Sequence, residues 1–149
     1  APIFFTVALA QRGGSLLINR IDLLREAVRI TRAERPFEIA AWVVMPDHLH
    51  CIWHLPEGDC DYATRWRLIK ARFSRDLPIG MRRDSHIRRH ERGIWQRRFW
   101  EHHLRDAQDL EAHIRYCWWN PVKHGFVARP EDWCYSSYHR DVTEGRVGW

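Results

Sequence analysis

A chain of 149 residues with 45% hydrophobic and 29% charged residues suits one domain around a single core, and is too apolar for a disordered chain. Its formal charge of +5 and pI near 9.4 point toward a polyanionic partner. Cys51, Cys60, Cys117 and Cys134 contain no C-x-x-C pair, which excludes a zinc ribbon and argues against a disulfide framework.

In chain order, "IFFTVALA" (3–10) reads as a strand closed by the polar turn "QRGG". This apolar opening lacks a basic leader and a long apolar run, so it does not read as a signal peptide, and no stretch reaches membrane-spanning length. With no initiating Met, the numbering reads as trimmed or as starting inside the gene product. Between 21 and 35, Ile21, Leu24, Ala27, Val28 and Ala33 recur at helical spacing, and Pro36 ends the helix. "FEIAAWVVM" is a β-branched and aromatic strand; "PD" turns the chain, and "HLHCIWHL" returns as its hairpin partner.

Tyr62, Trp66, Ile69 and Phe73 then mark an amphipathic helix capped by Asp59 or Asp61. Residues 78–94 lose periodicity and carry five arginines, which reads as a basic loop. "IWQRRFWEHHL" resumes as a strand. Asp106 and Asp109 form a capping box for a helix over 107–120 that Pro121 stops. The tail is aromatic and irregular, with short helical turns.

Through the fourth strand, this β-α-β-β-α-β order describes one α+β domain, 1–149. It is a ferredoxin-like or RRM-like antiparallel sheet with two helices on one face, followed by a third, tyrosine-bearing helix. Strand alternation sends Leu49, Cys51, Trp53 and Leu55 toward the helices, leaving His48, His50, Ile52 and His54 on the opposite face. Two histidines at i and i+2 project in parallel and can share a divalent ion, but a hydrogen-bonded histidine is common on any strand. The longer histidine-triad and H-E-x-x-H motifs are absent. On the third helix, His113, Tyr116 and Asn120 form a stripe bordering the apolar residues Leu110, Ile114, Cys117 and Trp118. Taken singly, Tyr116 reads first as an amphipathic core residue and Asn120 as a helix end, and neither establishes a site.

The basic residues are almost all arginine: of 24, only Lys70 and Lys123 are lysines. Arginine forks onto phosphates and stacks on bases. Arg65, Lys70, Arg72, Arg82, Arg83, Arg88, Arg89, Arg97, Arg98 and Lys123 are the candidates to track a DNA backbone. Exposed tryptophans would stack unpaired bases, with Trp42, Trp53 and Trp66 assigned to the core.

The segments "FFTVALAQR", "RPFEIAAWVVMPDHLHCIWHLPEGD", "RWRLIKARFSR", "WQRRFWEHHLRD", "YCWWNPVKHGFV" and "DWCYSSYHRDV" occur in one order across nearly the whole chain. In this series the chain resembles the REP-associated tyrosine transposases, relatives of the single-tyrosine HUH transposases. The resemblance implies that His48 and His50 are the HUH metal ligands, Asn120 the third ligand and Tyr116 the nucleophile, with Mg2+ or Mn2+ as cofactor. It implies nicking and rejoining of single-stranded DNA hairpins (REP sequences) through a 5′-phosphotyrosine, in the bacterial cytoplasm at the nucleoid. No nucleotide cofactor or membrane is implied, and either a monomer or a homodimer fits. The alternative is a domesticated hairpin-binding module for ssDNA or RNA without cleavage. His54 has no counterpart in the motif. Two features depart from the family pattern: a short basic segment with a "GT"-type motif usually precedes the first strand, and Cys117-Trp118-Trp119 stands where aliphatic residues are usual.

Overall fold

A computed structural model describes residues 1–77 and 93–144. The basic segment read as a loop, with Arg82, Arg83, Arg88 and Arg89, lies almost wholly outside these residues. The four strands are β1 (Ile3–Ala8), β2 (Glu38–Val44), β3 (His48–His54) and β4 (Trp100–His103). They form one antiparallel sheet in the order β2-β3-β1-β4, so β3 is central, as the connection order requires. The helices are α1 (Leu16–Asn19), α2 (Ile21–Glu34), α3 (Tyr62–Arg75), α4 (Ala107–Lys123) and α5 (Tyr138–Thr143), with a 3-10 turn at Pro130–Asp132.

Strand alternation divides the apolar residues between two cores. Phe5, Val7, Leu49, Cys51 and Trp53 pack with Leu24 and Ala27 of α2 and with Trp66, Ile69 and Phe73 of α3. Trp53 stacks on Trp66 with ring centroids 4.4 Å apart. On the other face, Phe4, Ala41, Val43 and Ile52 pack against Ile114, Cys117 and Trp118 of α4. Burying one such large side chain contributes on the order of 1.5–3 kcal/mol. Cys117 and Trp118 thus fill the second core, where aliphatic residues were the usual expectation.

Several boundaries differ from the sequence reading. The short α1 follows the glycine turn and was not expected, because four residues show no periodicity. The fourth strand is confined to Trp100–His103, while upstream Trp95 makes only an isolated bridge with Leu9. Trp42 is only partly buried, packed against the first core from strand β2. Asp61, and not Asp59, caps α3, accepting from the Thr64 amide at 3.1 Å.

Pro121 does not stop α4, which continues to Lys123. A proline so near the end removes one helical hydrogen bond, and the fixed φ of its ring suits the helix. The true stop is Gly125, whose φ of +80° only glycine adopts without strain. There the Gly125 amide bonds the Val122 carbonyl and the Phe126 amide bonds the Pro121 carbonyl, a Schellman closure. The tail then covers the exposed edge of β2: the Val44 amide donates to Tyr135 O and the Ser137 amide to Trp42 O.

Candidate metal and tyrosine site

The site lies where the central strands meet α4. The register pairs Thr6 with His50 and Ala8 with His48, so both histidines lie on the best-supported part of the sheet. Both are buried, and their ring centroids are 5.0 Å apart. Above them, α4 brings Tyr116 and Asn120 one turn apart on one side. The Tyr116 ring meets the His50 ring edge-on at 5.2 Å, and Phe4 packs beneath both, 5.5 Å from His50 and 5.8 Å from Tyr116.

Each histidine is oriented through its Nδ1. His48 Nδ1 lies 2.8 Å from Asp47 Oδ1. Burial favours a protonated Asp47, but Arg12, His48 and the Gly13 amide outweigh it and hold the carboxyl well below the usual range. An ionised carboxylate only accepts, so His48 carries its proton on Nδ1 and presents Nε2. His50 Nδ1 lies 2.8 Å from Thr6 Oγ1, which likewise turns Nε2 outward. An outer partner on one ring nitrogen is how ligating histidines are commonly fixed.

Burial lowers the pKa of both rings. His50 falls to about 3, mainly through desolvation and further through the positive charges of its neighbours, among them Lys123 and Arg12. His48 is also lowered by desolvation, with Asp47 opposing. Both rings are therefore neutral at physiological pH, the form that binds metal.

Asn120 carries the most informative signal. It is 1% exposed, and neither its Oδ1 nor its Nδ2 has a hydrogen-bond partner among the described residues. A buried amide left unpaired costs roughly 1–3 kcal/mol, so such groups call for a partner outside the protein. One amide oxygen and two imidazole nitrogens make up a donor set whose chemistry suits a divalent ion, so these residue types fit the expected group. Tyr116, by contrast, is 38% exposed and open to a large substrate.

The basic residues separate into two groups. Lys123 is exposed, with its Nζ 5.4 Å over the Tyr116 ring, and Arg97 and Arg98 are exposed before β4. Arg65, Lys70 and Arg72 lie on α3, across the sheet from the histidines. Arg65 must be corrected: it is 2% exposed and its guanidinium bonds Asp59 and the carbonyls of Arg35, Pro36 and Asp61. It ties α2 to α3 and has no fork left for a phosphate. Arg72 is similarly taken up by Thr31 and Glu34, and Lys70 donates to Gln96 O, its pKa lowered by burial. Helical periodicity marked these residues as polar without saying what they would meet.

Four residues near the site escaped the sequence reading. Thr6, Arg12 and Asp47 orient the histidines, and His124, at the end of α4, places its ring 5.6 Å from that of His48. Only Asp47 carried a signal, as the immediate neighbour of His48. His54 ends β3 opposite Glu38 at the sheet margin, apart from the other two histidines.

No protein-family model matches the chain. A REP-associated tyrosine transposase of Escherichia coli K12 is 46% identical over 142 residues, covering 95% of this chain and 79% of its own. The chain belongs to the REP-associated tyrosine transposases. A provisionally named REP-associated tyrosine transposase of Haemophilus influenzae is 47% identical over 141 residues, covering 93% of this chain and 80% of its own. The solved structure of a REP-associated tyrosine transposase bound to a REP hairpin superposes with a TM-score of 0.83 at 44% identity, covering 99% of this chain and 82% of that one. A Deinococcus radiodurans protein described as a transposase shares the fold alone, with a TM-score of 0.54 at 14% identity. Among the described residues of this family member, no helix is long and apolar enough to cross a membrane.

Proposed function

We propose that this protein nicks and rejoins single-stranded DNA at REP-type hairpins, using Tyr116 as nucleophile and a divalent ion held by His48, His50 and Asn120. The observation that carries the reading is the buried amide of Asn120, which has no hydrogen-bond partner among the described residues, one helical turn from the accessible Tyr116. The relative solved with a REP hairpin supports the substrate class.

When bound, Mg2+ or Mn2+ supplies Lewis-acid polarisation of the scissile phosphate and stabilises the charge that develops on its oxygens. The chain's own residues do the rest. Asp47 holds His48 in one tautomer, and Asp47 and Thr6 orient the two imidazoles. Phe4 supports the His50 and Tyr116 rings from below, which limits their rotation. Tyr116 Oη bonds to phosphorus as the bond from phosphorus to the 3′-oxygen breaks. The phenol proton ends on the leaving 3′-hydroxyl, and the 5′-phosphate stays on the tyrosine. Reversal on another 3′-hydroxyl rejoins DNA without ATP, because the ester bond is conserved in the intermediate. Lys123 places positive charge beside the tyrosine ring, where a phosphate would arrive. Arg97 and Arg98 are the exposed candidates to continue the contact along the strand.

The decisive experiment incubates the protein with a labelled REP hairpin and Mn2+ and resolves SDS-stable protein–DNA adducts. Wild type should give an adduct that Tyr116→Phe abolishes while hairpin binding stays within about twofold. An adduct of undiminished yield in Tyr116→Phe refutes the nucleophile. Hairpin binding with no adduct in the wild type would identify a binding module that does not cut.

A further inference from the structure

Beyond Phe4, on the same face of the sheet, lies a second group of donors that the proposed reaction does not use. His102 stands on the edge strand β4, and Asp109 and His113 are one turn apart in α4. One donor atom from each lies within 4.8 Å of the others. His102 Nε2 is 3.5 Å from Asp109 Oδ2. Two ligands of one tetrahedral ion, each about 2.05 Å from it, stand roughly 3.3 Å apart.

The rings are already held in place. Trp100 stacks on His102 at 5.6 Å with planes 11° apart, and His113 packs 4.9 Å from Phe4. His113 Nδ1 lies 2.8 Å from the Asp109 carbonyl, to which it donates in the neutral ring, and 3.3 Å from Asp109 Oδ1, so Nε2 is the nitrogen left to ligate. Asp109 also serves the start of α4: its amide donates to Asp106 Oδ1, and its Oδ2 accepts from the amide of Arg105, the residue before the cap, at 3.0 Å. Arg105 Nε approaches the same oxygen at 3.5 Å, but that side chain is 81% exposed and can turn away.

We propose that His102, Asp109 and His113 form a second metal site, separate from His48, His50 and Asn120, for a borderline transition ion of the Zn2+ class. Two imidazoles and one carboxylate form a mixed nitrogen and oxygen donor set that suits Zn2+, Ni2+ or Co2+. Part of the site is open to solvent, so water completes the coordination. An ion here links β4 to the first turns of α4, three residues before Tyr116. The proposal does not depend on the cleavage reaction.

The test uses chelator-stripped full-length protein, isothermal titration with ZnCl2 and thermal unfolding. The double variant His48→Ala/His50→Ala removes the other histidine pair and should still bind one Zn2+. At a hundredfold excess over Kd its Tm should rise by about 5–10 °C. Adding His102→Ala and His113→Ala should abolish both signals. Asp109→Asn keeps an oxygen that can cap the helix and should bind Zn2+ at least tenfold more weakly, so it decides the matter if the alanine variants fail to fold. No Zn2+ uptake by His48→Ala/His50→Ala, or uptake unchanged by Asp109→Asn, overturns the site.

Discussion

Asn120→Ala separates a metal ligand from an ordinary buried polar residue, because the two roles predict opposite effects on the metal-free protein. Removing an amide with no partner among the described residues relieves a desolvation cost of roughly 1–3 kcal/mol. Alanine also favours the helix over asparagine by about 0.5 kcal/mol. Against this stands the lost packing of a small, fully buried group, on the order of 1 kcal/mol. The balance is a gain of about 1 kcal/mol in the presence of chelator. In a chain of this size that is a rise in Tm of about 2–4 °C. With Mn2+ added, wild type should gain stability and the variant should not, while hairpin cleavage falls at least a hundredfold. Differential scanning calorimetry with EDTA or Mn2+, beside the cleavage assay, reads both effects. A variant that melts several degrees lower in EDTA and still cleaves would show that the amide is satisfied within the fold, and would remove Asn120 from the site.

Two further outcomes follow from the same geometry. His50 has its pKa depressed to about 3 against an unfolded value near 6.5, so the unfolded state takes up protons first. Its contribution is fully present above the unfolded pKa and is lost as pH falls toward about 3. At pH 5 the loss should be on the order of 2 kcal/mol, measurable by urea unfolding at pH 7 and pH 5. His50→Gln should flatten that dependence, and an equally steep one in the variant would refute the assignment. Arg65→Met leaves Asp59 and three backbone carbonyls without their donor, so it should cost about 3–5 kcal/mol of stability. Hairpin affinity per folded molecule should hold; unchanged stability with a tenfold loss of affinity would restore Arg65 to the DNA surface.

The sheet was legible because its alternation is strict: Leu49, Cys51 and Trp53 face one core, and His48, His50 and Ile52 face the other. A strand shifted by one residue would exchange these sets, so pattern and register specify each other. The pairing of Tyr116 with Asn120 was legible for the equivalent helical reason. What escaped depended on contacts distant in sequence. Arg65 and Arg97 look alike in the chain, yet one ends against three carbonyls at a helix junction and the other in solvent. Thr6, 44 residues before His50, becomes its partner only through the β1–β3 register. Pro121 was misread because a general rule for helix interiors was applied to a last turn, where the glycine four residues on is the real stop.

The two halves of the site are held by different kinds of bond. His48 and His50 lie on a strand whose backbone is hydrogen-bonded on both sides, to β1 and to β2. Their amides can exchange with solvent only when the sheet itself opens. Tyr116 and Asn120 ride on a helix joined to that sheet by side-chain packing at Ile114, Cys117 and Trp118. Undocking α4 separates nucleophile and amide from the imidazoles while leaving the sheet's ladder intact, and partial opening of that kind requires less free energy than global unfolding. Hydrogen exchange would therefore find this site divided between a slow half and a faster one, with the boundary running between His50 and Tyr116.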